Sequence, residues 1–253
     1  MTVDLRQSHS QVRDPLAAGL TRPGSWIAFD IETTPIVDDA LPSGITCAAA
    51  GTSDGSVVHW YTLGSEGLPE PQMDPETVGG MLAWLRHWQL AGHRLVAWNG
   101  AGFDLQVMAA AAGQWQLAAQ LLPGLHDPMF QMLCQRGFPV ALARAAEGLG
   151  IPLGKTMPGE EAPEAWTRGE YWRVLEYGAG DVLMTIRVTE AIEQRGALRW
   201  VTRRGTVGHE LFPAVRTVAG TLALPPPDQS WLDDPFPPTR PVRWASSRGL
   251  LPG

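Results

Sequence analysis

The chain has 253 residues, with 44% hydrophobic and 18% charged side chains, enough apolar content for a globular core in one large domain. A formal net charge of -7 argues against a passive nucleic-acid-binding module held by clustered Lys and Arg, but not against a site whose carboxylates are neutralised by cations. No run reaches the ~20 apolar residues of a membrane span, and MTVDLRQSHSQVRD lacks a signal-peptide stretch, so a cytoplasmic chain with no membrane partner is expected.

Residues 1 to 24 are polar and aperiodic and are expected to form a mobile or loosely packed arm. SWIAFDIE alternates like a strand, with Ile27, Phe29 and Ile31 on one face and Ala28, Asp30 and Glu32 on the other. ITCAAAG and SVVHWYTL, joined by the turn signal SDG, extend this to a three-strand meander. DPETVGGMLAWLRHW is a helix with Asp74 as N-cap and Pro75 in its first turn. RLVAWN is a short strand, and FDLQVMAAAA is a helix ending at Gly113. HDPMFQMLCQRG repeats the Asp-Pro start and the Gly stop, with Asp127 as N-cap, and VALARAAEGLG is a further helix. Residues 150 to 168 are expected to be a loop, and helix resumes from Gly169 to about Gly196. RWVTRRGTVGHELF suits a short hairpin, and the Pro-rich stretch after it excludes regular helix or a central strand. Cys47 and Cys134 have no CxxC spacing and are expected to be buried free thiols.

The fold class expected is α/β, a mixed central sheet flanked by helices with an extended Pro-rich C-terminal tail. The divisions are a 1–24 arm, a 25–196 domain, and a 197–253 extension made of a basic hairpin and the Pro-rich segment.

Three segments carry chemistry. Asp30 and Glu32, two apart on a strand, project from the same face, and two such carboxylates repel unless a cation or a proton lies between them. The alternative is an ordinary solvated strand face. Asn99-Gly-Ala-Gly-Phe103-Asp104 runs from a strand end through a tight turn into a helix, placing Asp104 at the C-terminal edge of the sheet. Tyr177 and Asp181 stand one helical turn apart on one face, although Gly178 and Gly180 between them weaken a helix by about 1 kcal/mol each. Either the helix begins near Asp181, or the glycines admit a close backbone approach.

In that order FDIET, NGAGFD and YGAGD resemble the three exonuclease motifs of the DEDD superfamily, in its tyrosine-bearing (DEDDy) branch. The likeness spans about residues 24 to 196 and is strongest to stand-alone relatives of the family B DNA polymerase proofreading domain. The resemblance implies a ribonuclease-H-like fold and a 3′–5′ exonuclease using two Mg²⁺ or Mn²⁺ ions. It implies Asp30, Glu32 and Asp181 as ligands of one cation, with Asp30 bridging to the second. Asp104 would act on the second through water, and Tyr177 would orient the attacking water. Thr33, Asn99, Phe103 and Lys155 are the candidate substrate contacts, and for Lys155 the alternative is a solvated loop residue. The implied partner is nucleic acid with a free 3′ end, DNA favoured over RNA, in a role such as DNA repair. RNA 3′-end trimming and a non-catalytic strand-end or partner-binding module are the rival readings.

Other segments compete weakly. Gly148, Gly150 and Gly154 ahead of Lys155 and Thr156 do not meet the GxxxxGK[ST] phosphate-loop pattern. Lys155 is the single Lys and Asn99 the single Asn, as a GC-rich coding sequence would leave them. Glu147 is read as structural. Arg195, Arg199, Arg203 and Arg204 make a basic region that is either a solvated helix end or a phosphate-contacting patch. Trp231 and Trp244 suit a strap laid over the domain, with base stacking or a docking arm for a protein partner as alternatives.

Overall fold

The computed structural model describes residues 23–36, 41–152, 157–231 and 235–250. Lys155 and residues 1–22 of the expected arm lie outside the described residues.

Strand β1 (Trp26–Thr33) shows the alternation its sequence demands. Ile27, Phe29 and Ile31 enter one apolar cluster, while Trp26 and Ala28 enter another on the opposite face. Every residue of β2 (Ile45–Thr52) is buried, and β3 (Val57–Trp60) pairs beyond it. These strands form the antiparallel meander, and β4 (Arg94–Val96) adds on the other side of β1 in parallel, giving the order β3-β2-β1-β4. The sheet is therefore mixed and β1 is interior. Single-residue bridges from Val96 to His126 and from His126 to Thr217 carry pairing past β4.

Helix α1 (Pro75–Leu90) starts where expected, the Asp74 carboxylate accepting from the Thr77 N–H at 2.7 Å. Its face of Val78, Met81, Leu82 and Leu85 is fully buried, each side chain contributing roughly 1.5–3 kcal/mol. With α2 (Asp104–Ala112) and α3 (Trp115–Leu121) it covers the Ile27–Phe29–Ile31 face. Helices α4 (Pro128–Arg136) and α5 (Leu142–Leu149) follow. The opposite face of the sheet carries α7 (Tyr171–Arg195), packed with α5 and the hairpin of β5 (Ala197–Val201) and β6 (Val207–Leu211).

Two expectations need correction, and a third stretch, 114–121, drew no reading from the sequence. Residues 150–168 are not all loop, because α6 (Ala162–Thr167) forms there: Ala162, Ala165 and Trp166 bury, and the Trp166 indole N–H reaches the Glu70 carbonyl at 3.0 Å. The stretch after Gly113 holds α3, a short helix with no capping side chain to announce it. The tail also contains helix: α8 (Val218–Leu222), capped by Thr217, and α9 (Arg243–Ser246), whose Trp244 and Ala245 are buried in the main core. Among the described residues no helix is long and apolar enough to cross a membrane.

Candidate active site

Strand geometry puts Asp30 and Glu32 on one face of β1, both partly buried, with fully packed Ile31 between them on the other. They stand opposite Ala49 and Cys47 of β2, and the register shifts between Glu32 and Thr33. Such an irregularity re-aims side chains at a strand end. Thr33 itself is buried. Burial pushes the Cys47 thiol well above the ordinary range, and the charges of Glu32 and Asp30 push it further. Both cysteines are free and buried, as expected.

The second segment is held from two sides. Asn99 has φ of 73°, a left-handed conformation that asparagine tolerates better than most residues. The Asp127 carboxylate accepts from the Asn99 N–H at 3.1 Å, the Ala101 N–H at 3.0 Å and the Phe130 N–H at 3.0 Å. One interior carboxylate thus caps α4 and fixes the turn that leads to Asp104. From the other side the Trp244 indole N–H donates to the Ala101 carbonyl at 2.9 Å. A Cβ at Gly102 would fall 3.0 Å from both the Asn99 side chain and Pro241, so the tail leaves room for glycine there and little more. Asp127 was legible as an N-cap only. Its grip on a loop 28 positions upstream leaves no local sequence signal.

Asp104 is the first residue of α2, where a negative charge suits the helix dipole. It is 3% exposed, and its Oδ1 has no hydrogen-bond partner. Burial, with a smaller contribution from the Asp127 charge, raises its pKa to about 7, although its own backbone N–H and that of Ile31 work against the rise. Burial likewise raises Asp127 to about 6. Phe103 packs against the core and Asn99 is half-buried.

The third segment lies inside one unbroken helix, so the helix does not begin at Asp181. Gly178 faces β2: a Cβ there would sit 3.8 Å from that of Ala49, whereas one at Gly180 would meet nothing within 4 Å. Tyr177 is 7% exposed, and its hydroxyl donates to the Asp181 carboxylate. Burial, then the charges of Asp181, Glu32 and Asp30, drive its phenol far above the usual value. Tyr177 therefore stays protonated, a donor and not a base. Gly159 closes over it, since a Cβ there would lie 2.9 Å from the hydroxyl oxygen.

Asp30, Glu32, Tyr177 and Asp181 thus share one electrostatic neighbourhood, and Asp104 lies beside the Ile31 backbone between the two strand carboxylates. Their closure is incomplete: among the described residues no group of three or more His, Cys, Asp and Glu comes together tightly enough to hold a metal ion. Hard oxygen donors and the orphaned Asp104 Oδ1 nevertheless fit a cation of the Mg²⁺ or Mn²⁺ kind in chemistry. Of the arginines after α7, Arg195 donates to the Leu149 carbonyl at 3.3 Å, while Arg199, Arg203 and Arg204 are exposed on the hairpin. Glu147 pairs with Arg144 at 3.3 Å, both side chains about half exposed.

No family model and no curated protein matches the chain. Among solved structures it is similar to the family B DNA polymerase of the hyperthermophilic archaeon Pyrobaculum calidifontis, with TM-score 0.44 and 17% identity over 69% of this chain and 24% of that one. A product-bound exonuclease I aligns with TM-score 0.38 and 13% identity over 68% of this chain and 44% of that one. Exonuclease I from Methylocaldum szegediense gives 0.33 and 16% over 68% and 41%. The chain spans less than half the length of these structures, and at such scores the likeness assigns neither activity nor residue roles.

Proposed function

We propose that the chain is a metal-dependent 3′–5′ exonuclease of the tyrosine-bearing DEDD type, built on a ribonuclease-H-like domain and acting on single-stranded DNA. The observation that carries the reading is the Tyr177 hydroxyl, bonded to Asp181 and lying in the field of Glu32 and Asp30. Two segments from distant parts of the chain, β1 and α7, act on that one atom, and Asp104 of the third bonds the Ile31 backbone between the two strand carboxylates. A solvated strand face or a chance helical pair would not bury a tyrosine against three carboxylates.

Asp30, Glu32, Asp104 and Asp181 would hold the cations. When bound, two such ions lower the pKa of an attacking water and stabilise charge on the leaving 3′ oxygen. With its proton donated to Asp181, the Tyr177 hydroxyl orients that water as a hydrogen-bond acceptor, without taking its proton. Asp127 keeps the Asn99–Asp104 loop in place, and Gly159 leaves the Tyr177 hydroxyl the room that a side chain there would take. Thr33, Asn99 and Phe103 line the approach as substrate contacts; for Thr33 and Phe103 packing limits the contact to what stays exposed.

The test is digestion of 5′-labelled single-stranded DNA and RNA with Mg²⁺, Mn²⁺ or EDTA. A ladder shortening from the 3′ end, stronger on DNA and abolished by EDTA, is expected. Endonucleolytic products, or cleavage that survives EDTA, would overturn the reading.

A further inference from the structure

At the C-terminal end of β4 a groove of about 680 Å³ opens between Asn99, the 138–144 segment and the β5–β6 hairpin. Trp98, Phe138 and Trp200 form aromatic walls, and Arg144 and Arg203 stand at the groove. The walls are fixed. The Trp98 indole N–H donates to the Val140 carbonyl at 2.8 Å, and the rings of Phe138 and Trp200 meet edge-on at 5.9 Å. The hairpin is pressed onto α5 at Gly148, where a Cβ would lie 2.4 Å from the Trp200 Cα.

The cations, by contrast, are lightly held. Arg203 is exposed in the hairpin turn and makes no ion pair among the described residues. Arg144 is bound to Glu147 through one contact of 3.3 Å, with both side chains about half exposed, a pair that water screens heavily. Two arginines flanking preformed aromatic walls suit an anion with a flat apolar part.

We propose that this groove binds a nucleobase and its adjoining phosphate in single-stranded DNA, as the track of the strand behind its 3′ terminal nucleotide. The inference rests on the nuclease reading above and adds where the strand runs. Base faces stack on aromatic rings whatever the sequence, and arginines follow the backbone. The volume suits one or two nucleotides, in the range of ordinary ligand sites. Asn99 lies both in the groove and at the head of the loop carrying Asp104, so a strand seated there leads toward the carboxylates. DNA is the better occupant, because the walls are largely carbon and the Thr202 hydroxyl is already bonded to that of Thr206 at 2.8 Å. A 2′-hydroxyl would lose water there with little to replace it.

The experiment is fluorescence anisotropy of 5′-fluorescein oligothymidylate and oligouridylate of about 12 nucleotides, titrated with the full chain in EDTA so that nothing is cleaved. Wild type is compared with Arg144→Ala/Arg203→Ala and with a charge-matched control, Arg187→Ala/Arg216→Ala, whose side chains lie outside the groove. The groove variant should bind DNA about 10-fold more weakly, and its slope of log Kd against log salt should fall by about 1.4, at ~0.7 per phosphate contact. Equal loss in the control, unchanged binding in the groove variant, no binding by wild type, or tighter binding of the RNA oligomer would each overturn the proposal. Binding that depends on the two arginines while the wild type with Mn²⁺ cleaves nothing would support the groove and defeat the exonuclease reading, so the two failures are distinguishable.

Discussion

The indole N–H of Trp244 donates to the carbonyl of Ala101 across 143 positions of sequence, tying the C-terminal tail to the loop that delivers Asp104. The contact is reinforced around it. Trp115 lies 6.1 Å from the Trp244 ring, and the Arg248 guanidinium sits 3.8 Å above Trp115. A segment that reads as an appendage is, over residues 242 to 245, part of the main core. Trp231, by contrast, is 59% exposed, its indole N–H turned to the Asp228 carbonyl.

Truncation before residue 240 should therefore destabilise the fold, and so should Trp244→Ala, by about 3–5 kcal/mol. Trp244→Phe keeps most of the packing but orphans the Ala101 carbonyl, at a cost of about 1–3 kcal/mol. Urea unfolding measures both. If the truncated chain unfolds at the same urea concentration as the whole, the tail is only an appendage.

Tyr177→Phe should lower kcat by about 100-fold, the scale of a lost water-positioning contact, while the fold survives. Gly159→Ala should disturb the same hydroxyl, because its new methyl would fall 2.9 Å from that oxygen. Steady-state rates and circular dichroism on both variants separate the two effects. Full activity in Tyr177→Phe would remove the tyrosine from the chemistry.

His126 supplies a pH test of the packing beside Asp127. Burial lowers its pKa from 6.5 to about 4, against a smaller upward pull from its bond to the Leu95 carbonyl, 3.1 Å from Nδ1. A depressed folded pKa means the stability is complete above the unfolded value and is lost as pH falls from 6.5 toward 4. The loss is at most roughly 3 kcal/mol, at 1.36 kcal/mol for each unit. Asp104 and Asp127 act in the opposite sense, since raised carboxyl values favour the folded state at low pH and lose that advantage as pH rises toward 6 to 7. The diagnostic quantity is thus a difference: between about pH 7.5 and pH 5 wild type should lose more stability than His126→Gln. Parallel losses in the two proteins would contradict the assignment.

Two glycines should respond in opposite directions. Gly148→Ala drives a methyl into the backbone of Trp200, and overpacking of this kind costs about 1–3 kcal/mol. Gly180→Ala meets open space inside a helix and should stabilise by about 1 kcal/mol. Thermal unfolding of both variants checks the packing of α5 on β5 and the continuity of α7.

The candidate site's local geometry was legible where its signals are local. Alternation exposes the Asp30–Glu32 pair, the Asn99-to-Asp104 turn carries its own glycines, and Tyr177 and Asp181 follow helical spacing. The meander and the Asp-Pro helix starts were legible for the same reason. What stayed hidden depends on partners far away in sequence. Asp127 gave away its cap but not its hold on Asn99 and Ala101, and Trp244 gave no hint of Ala101. Helix α6 was obscured by Pro and Gly around it, because tertiary burial of Trp166 overrides weak local preference.

The proposed chemistry requires Asp30, Glu32, Asp104 and Asp181 to share cations. Mn²⁺ titration of the full chain, followed by calorimetry and by the loss of the free-ion electron paramagnetic resonance signal, addresses that without any turnover. Saturable binding in wild type, weakened about 10-fold or more in Asp30→Asn and in Asp181→Asn with circular dichroism unchanged, is the predicted result. Wild type that takes up no Mn²⁺, or variants that take it up equally well, would contradict it.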